Sequence, residues 1–117
     1  MEMSVYRWTE VPVQKITDRL SRKFISGEKV TLAQISLKKG CSVVAHAHES
    51  EQFSYVISGS IRVRLPDKEI TLKAGKVLCI PSNVEHGVVA LEDTEGLEVF
   101  SPTRDDWLSG KDSYLRK

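Results

Sequence analysis

Apolar and polar positions alternate along much of this chain, the period of side chains on the two faces of a β-strand. From Thr31 to Lys38, Ala33, Ile35 and Leu37 share one face, and Leu32, Gln34 and Ser36 share the other. Gln52 to Ser58 is rich in aromatic and β-branched residues, and Ser58-Gly59-Ser60 connects it tightly to Ile61 to Leu65. Pro66-Asp67-Lys68 has the composition of a turn, since proline presets φ and aspartate bonds its own backbone. Ile70 to Leu72 alternates up to Ala74-Gly75, Val77 to Ile80 is a continuous apolar run stopped by Pro81, and His86 to Leu91 and Leu97 to Ser101 complete the series. Short strands separated by turn chemistry predict an all-β fold, a closed barrel or a sandwich.

Only two segments invite a helix. Asp105 to Leu108 follows Thr103, a candidate N-cap, and Gly110 would stop it after at most one turn. Ile16 to Phe24 is ambiguous, although Ser21 to Ser26 before Gly27-Glu28 reads better as one arm of a hairpin. Residues 111–117 read as a mobile or partner-contacting tail.

The chain has 117 residues, 40% of them hydrophobic and 28% charged, with a net charge of +1. That suits one globular domain, residues 1–117, with a single core. Acids and bases are mixed, so no basic stripe suits nucleic acid, and no apolar stretch is long enough for a membrane span. The residues from Met1 to Trp8 lack the apolar core of a signal peptide, so a cytoplasmic location is expected. Cys41 and Cys79 lie in no CxxC pair and read as small packed thiols.

The chemistry concentrates in the histidines. The chain has three, His46, His48 and His86. His46-Ala47-His48 places two imidazoles on one face of an extended segment, and His86 follows the Pro81 turn at the head of another strand. That spacing predicts a divalent transition-metal site.

These residues resemble the cupin superfamily. Its first motif runs glycine, five residues, HxH, three or four residues, a glutamate, six residues, glycine; here Gly40, His46-Ala47-His48, Gln52 and Gly59 take those places. Its second motif runs glycine, five residues, PxG, two residues, histidine, matched by Gly75, Pro81-Ser82-Asn83 and His86. The resemblance spans about residues 37–90 and implies a double-stranded β-helix, or jelly-roll barrel, with metal ligands inside. Asn83 stands where the family has glycine, a tolerable change because asparagine visits positive φ. Ala90 stands where an asparagine is frequent. Gln52 replaces the glutamate, and the alternative that Glu51 is the ligand requires the opposite strand face.

With His46, His48, His86 and Gln52 as ligands, no protein charge offsets the ion, which strengthens it as a Lewis acid and weighs against oxygen activation. The ligand set suits nickel, zinc, iron, cobalt or manganese.

A second constellation is Glu98-Val99-Phe100-Ser101-Pro102-Thr103-Arg104. Glu98 and Phe100 share a strand face, and Pro102 turns the chain so that Arg104 could return over the barrel mouth. By spacing alone the favoured reading is a surface salt bridge beside a core phenylalanine. The tail and the neutral glutamine resemble the pectin-degradation KdgF group within the cupins. That resemblance implies catalytic roles for Glu98 as proton carrier, Phe100 as a ring against a sugar face and Arg104 as carboxylate binder. The family acid is typically aspartate, so Glu98 is one methylene longer.

The resemblance implies ring opening of a 4,5-unsaturated uronate to a linear 4-deoxy-5-keto uronate, with a small anionic sugar acid as ligand. The alternatives are another metal-cupin isomerase, a dioxygenase, or a non-catalytic cupin that binds a small ligand or metal. A homodimer is expected, with Ser4 to Trp8 pairing at a sheet edge. Arg62 and Arg64 read as the solvated face of a strand or as an anion site in the lumen, Phe53 and Tyr55 as facing away from Gln52, and Trp8 and Trp107 as packing residues.

Overall fold

The computed structural model describes residues 3–116. Its strands are β1 (Gln14–Lys15), β2 (Leu20–Ser26), β3 (Thr31–Leu37), β4 (Ser42–His46), β5 (Glu51–Ser58), β6 (Ser60–Leu65), β7 (Lys68–Lys73), β8 (Val77–Ile80), β9 (His86–Ala90) and β10 (Thr94–Ser101). They form a six-stranded sheet in the order β1-β2-β3-β10-β5-β8 and a four-stranded sheet in the order β4-β9-β6-β7, antiparallel at every pairing. The all-β fold expected from the alternation, and the jelly roll that the cupin resemblance implies, are what the structure shows.

Strand parity decides what faces the lumen. In β5, Gln52, Ser54 and Val56 are buried, while Glu51, Phe53, Tyr55 and Ile57 are exposed. In β6, Ile61 and Val63 are buried, while Arg62 and Arg64 point outward; Arg62 meets Glu69 across the strand pair at 3.6 Å. The arginines are therefore the solvated face and not an anion site in the lumen. Glu51 lies outside, its carboxylate 4.0 Å from the Cys79 thiol, away from the histidines.

One end of the barrel is filled by a core around Leu20, Leu37, Cys41, Val56, Ile61, Val63 and Leu72. A second, smaller cluster of Ala33, Phe100 and Trp107 lies toward the histidines. In the larger core Cys41 is buried as a small apolar group and Ala90 fills space beside it. Gly59, between β5 and β6, has φ +89°, and a Cβ there would lie 2.3 Å from the Asp93 carbonyl. The motif glycine is thus demanded by both backbone and space. Asn83 also takes positive φ, 63°, and its N–H donates to the His48 carbonyl at 2.8 Å, which ties the β8–β9 turn to the HxH segment.

Three expectations change. Helical structure is not limited to Asp105–Leu108 (α1), because Trp8–Glu10 and Ser113–Arg116 form 3-10 turns. Thr103 does not cap α1; its hydroxyl donates to the Asp105 carboxylate at 2.8 Å instead. Residues 112–115 are not a loose tail. Asp112 is fully buried and pairs with buried Arg22 at 2.6 Å, and Leu115 packs against both apolar clusters. Lys117 lies outside the described residues. At the other end, residues 4–7 form no strand, while the Trp8 indole donates to Gln34 at 2.7 Å and lies under the Lys23 ammonium.

The outer face of the six-stranded sheet carries two apolar rows. Leu32, Val99, Phe53 and Cys79 are cross-strand neighbours in one, and Leu97, Tyr55 and Val77 in the next. Phe53, Tyr55 and Val77 expose 47%, 40% and 56% of their surface, more than isolated surface residues would explain.

Candidate metal centre

Cross-strand pairing brings distant histidines together. The β4–β9 ladder shifts register between Val43 and His46, and after the shift His46 stands directly opposite His86. Their ring centroids are 4.4 Å apart, and His48 lies 5.5 Å from His46 and 4.9 Å from His86. One nitrogen from each of the three rings falls within 4.8 Å of the others.

Each imidazole is oriented by a backbone carbonyl two residues away. Nδ1 of His46, His48 and His86 lies 2.8, 2.9 and 2.8 Å from the carbonyls of Val44, Ser50 and Val84. A carbonyl only accepts, so each Nδ1 carries the proton and each Nε2 keeps its lone pair. The Nε2 atom of His86 is buried and has no hydrogen-bond partner among the described residues. An uncompensated buried lone pair among two more is a poor arrangement for packing and a good one for a cation.

Gln52 extends the set. Its amide nitrogen donates to the Ser54 hydroxyl at 2.8 Å and to the Glu98 carboxylate at 2.6 Å, so its oxygen must point the other way. That oxygen lies 3.1 Å from His48 Nε2. Two acceptors at that distance repel unless a cation or a proton stands between them. His46, His48, His86 and Gln52 together therefore fit a divalent ion, as four neutral donors.

Electrostatics point the same way. The His46 pKa is lowered from 6.5 to about 4, first by burial and then, against the opposing Val44 bond, by the neighbouring imidazoles and Arg104. Burial likewise lowers His48 and His86, with Arg104 adding to both. All three rings are held neutral, the form that ligates.

Glu98 and Phe100 project inward from β10, opposite Ser54 and Gln52 of β5. Glu98 also accepts from Ser54 at 2.6 Å. It is half-buried, and the space it faces is the barrel cavity, so burial raises its pKa despite Ser54, Arg104 and Gln52. Phe100 is only 1% exposed; its ring meets His48 and Trp107 edge-on and lies beneath the Arg104 guanidinium, 4.7 Å away. Its ring is thus committed to holding neighbours, not free to present a face to a sugar.

Arg104 does return over the mouth, with its N–H on the buried Thr31 hydroxyl at 3.0 Å. The guanidinium fork is already engaged, because Nε and one Nη donate to the two Asp106 oxygens at 2.9 and 2.8 Å. The same Nη donates to the Tyr114 hydroxyl. The edge of Arg104 that a ligand carboxylate would grip bidentately is occupied by Asp106.

Sequence reasoning missed Ser54, Asp106 and Tyr114. Parity with Gln52 would have found Ser54, and Asp106 follows Arg104 by two residues. Nothing local marks Tyr114, whose ring stacks on His46 at 4.6 Å.

A two-sheet antiparallel barrel with three inward imidazoles at its mouth defines the class, a jelly roll built around a candidate metal site. The cupin domain model matches residues 33–101, and the chain belongs to that family. It is 32% identical over 102 residues to the pectin degradation protein KdgF of Dickeya dadantii (strain 3937), covering 85% of this chain and 93% of that one. The structure of KdgF from Halomonas sp. superposes with a TM-score of 0.81 at 29% identity, over 89% of this chain and 99% of that one. An RmlC-like cupin from Shewanella frigidimarina NCIMB 400 gives a TM-score of 0.83 at 26% identity, over 91% and 96% of the two chains. No helix among the described residues is long and apolar enough to cross a membrane.

Two outcomes follow. His86→Ala is expected to weaken metal binding by more than the roughly 10–100-fold typical of losing an outer-shell partner; retention of stoichiometric metal after dialysis would place the site elsewhere. In the metal-free protein the imidazoles stay neutral while the unfolded chain protonates near pH 6.5, so stability should fall as pH drops from about 6.5 toward 4. Thermal unfolding in chelator measures this, and His46→Gln should flatten the slope. An unchanged slope in that variant would contradict the assignment.

Proposed function

We propose that this cupin is a metal-dependent enzyme that opens the ring of a 4,5-unsaturated uronate, as part of pectin breakdown. The observation that carries the reading is a half-buried carboxyl, Glu98, its pKa raised by burial, that lines the same cavity as His46, His86 and Arg104. Similarity to KdgF proteins over most of the chain supports the substrate class.

A divalent ion on His46, His48, His86 and Gln52 would supply Lewis-acid polarisation of ligand oxygens. The chain's own residues do the rest. Glu98, as carboxylate, takes the proton of the anomeric hydroxyl. The bond from the anomeric carbon to the ring oxygen breaks, giving an aldehyde at C1 and an enolate across the ring oxygen, C5 and C4. The proton is returned at C4, which leaves a ketone at C5, so the reaction is an isomerisation with no co-reactant. A pKa raised by burial brings the carboxyl nearer to working pH, where it can take and give a proton. Arg104 attracts the ligand carboxylate, while Phe100 and Asp106 hold the guanidinium in place.

Glu98 also orients Gln52, so its two roles need separating. Glu98→Gln is expected to lower turnover by about 100-fold or more, within the range for general acid–base groups. The assay is loss of the substrate's ultraviolet double-bond absorbance at saturating metal. If the variant turns over at the parent rate once metal is saturating, Glu98 only positions Gln52 and the proton role is wrong.

We also infer a homodimer, joined through the apolar rows of the six-stranded sheet and not through residues 4–8. Exposed Phe53, Tyr55 and Val77 support this face. Light scattering should give twice the chain mass, and Phe53→Glu should give the single mass; a monomeric parent would exclude it.

A further inference from the structure

The cavity beneath the mouth has a volume of about 90 Å³; His46, Gln52, His86, Glu98, Arg104 and Tyr114 line its polar part, and core aliphatic side chains line the rest. Pockets that enclose ligands of ordinary metabolite or drug size run to roughly 300–1,000 Å³. The space suits an ion and a few waters, not a hexuronate. What closes it is the segment after Gly110. Tyr114 lies over His46 with centroids 4.6 Å apart and planes tilted by 31°. Its hydroxyl takes a hydrogen bond from Arg104 and donates to Asp106 at 3.3 Å. The turn is held from both sides, by the Lys111 N–H on the Asp106 carbonyl at 2.8 Å and by Asp112 on Arg22.

We propose that Tyr114 determines which ligands enter: a carboxylate-bearing ligand displaces its hydroxyl from Arg104, and the ring swings off His46. Two features make this exchange reasonable. An incoming carboxylate offers Arg104 a charged acceptor where Tyr114 offers a neutral one, which makes the replacement bond stronger. Tyr114 is only half-buried, whereas Asp112 nearby is fully buried and Leu115 packs against both apolar clusters, so the segment is anchored on either side of it. Movement is therefore a local rotation about a fixed base, not detachment of the whole segment. Neutral ligands of the same size gain nothing at Arg104 and are excluded. The identity of the ligand rests on the uronate reading, but the closure does not.

Because the open form is a fraction of the population, affinity is reduced by that fraction, and removing the gate restores it. The test uses zinc-loaded protein, with zinc release to pyridine-2,6-dicarboxylate and calorimetric binding of galacturonate as readouts. Tyr114→Ala is expected to release zinc about 10-fold faster and to bind galacturonate about 10-fold tighter. Tyr114→Phe keeps the ring and loses the hydroxyl, so it should fall between Ala and parent, and it guards against misfolding of the smaller variant. Equal rates and affinities in all three proteins would overturn the proposal. So would weaker galacturonate binding in Tyr114→Ala, which would make Tyr114 a ligand contact. Faster zinc release with no galacturonate binding in any of them supports the gate and removes the uronate reading.

Discussion

Three short hydrogen bonds govern the chemistry of this barrel. Each imidazole gives its Nδ1 proton to a backbone carbonyl two residues along the chain, so the tautomer and the ring direction are settled by local geometry. The price is a cluster of lone pairs with too few protons among them. Burial, the neighbouring rings and Arg104 all discourage protonation, so the centre cannot relieve itself by becoming charged. A cation resolves that conflict.

Charge around the centre is divided in an orderly way. Four neutral donors face inward, Glu98 is the nearby acid, and Arg104 sits across from it over Phe100. Gln52 joins the two halves, because the amide nitrogen that bonds Glu98 is what aims the amide oxygen at His48. A glutamate in that place would add a second carboxylate beside Glu98, and the two would repel. The departure from the usual cupin motif and the acid on β10 are therefore one design. Arg104 is similarly supported, with its backbone on Thr31, its fork on Asp106 and its guanidinium over the Phe100 and Trp107 rings.

Much of this was legible in the chain itself. Alternation set Phe53 and Tyr55 on the face opposite Gln52 and put Arg62 and Arg64 together on one face, because strand parity survives whatever the strand pairs with; which of the two faces meets solvent was decided by the fold. The motif glycines marked backbone conformations that other residues resist, as the approach of Asp93 to Gly59 shows. Phe100 was placed on the right face but assigned the wrong neighbours. From the sequence its ring was free to meet a ligand; in the fold it is enclosed by His48, Trp107 and Arg104.

By itself, then, the sequence determined period and composition: which residues share a face, where the chain must turn, and that three histidines converge on one site. Those are local properties, set by φ, ψ and side-chain parity within a few residues. Only the tertiary structure decided that Asp112 pairs with Arg22 across 90 positions and that Tyr114 closes over His46. It also decided that Asp106 takes the edge of Arg104 that seemed reserved for a ligand. A polar C-terminal segment carries no periodic signal, so its place depends on a surface that exists only once the barrel has closed.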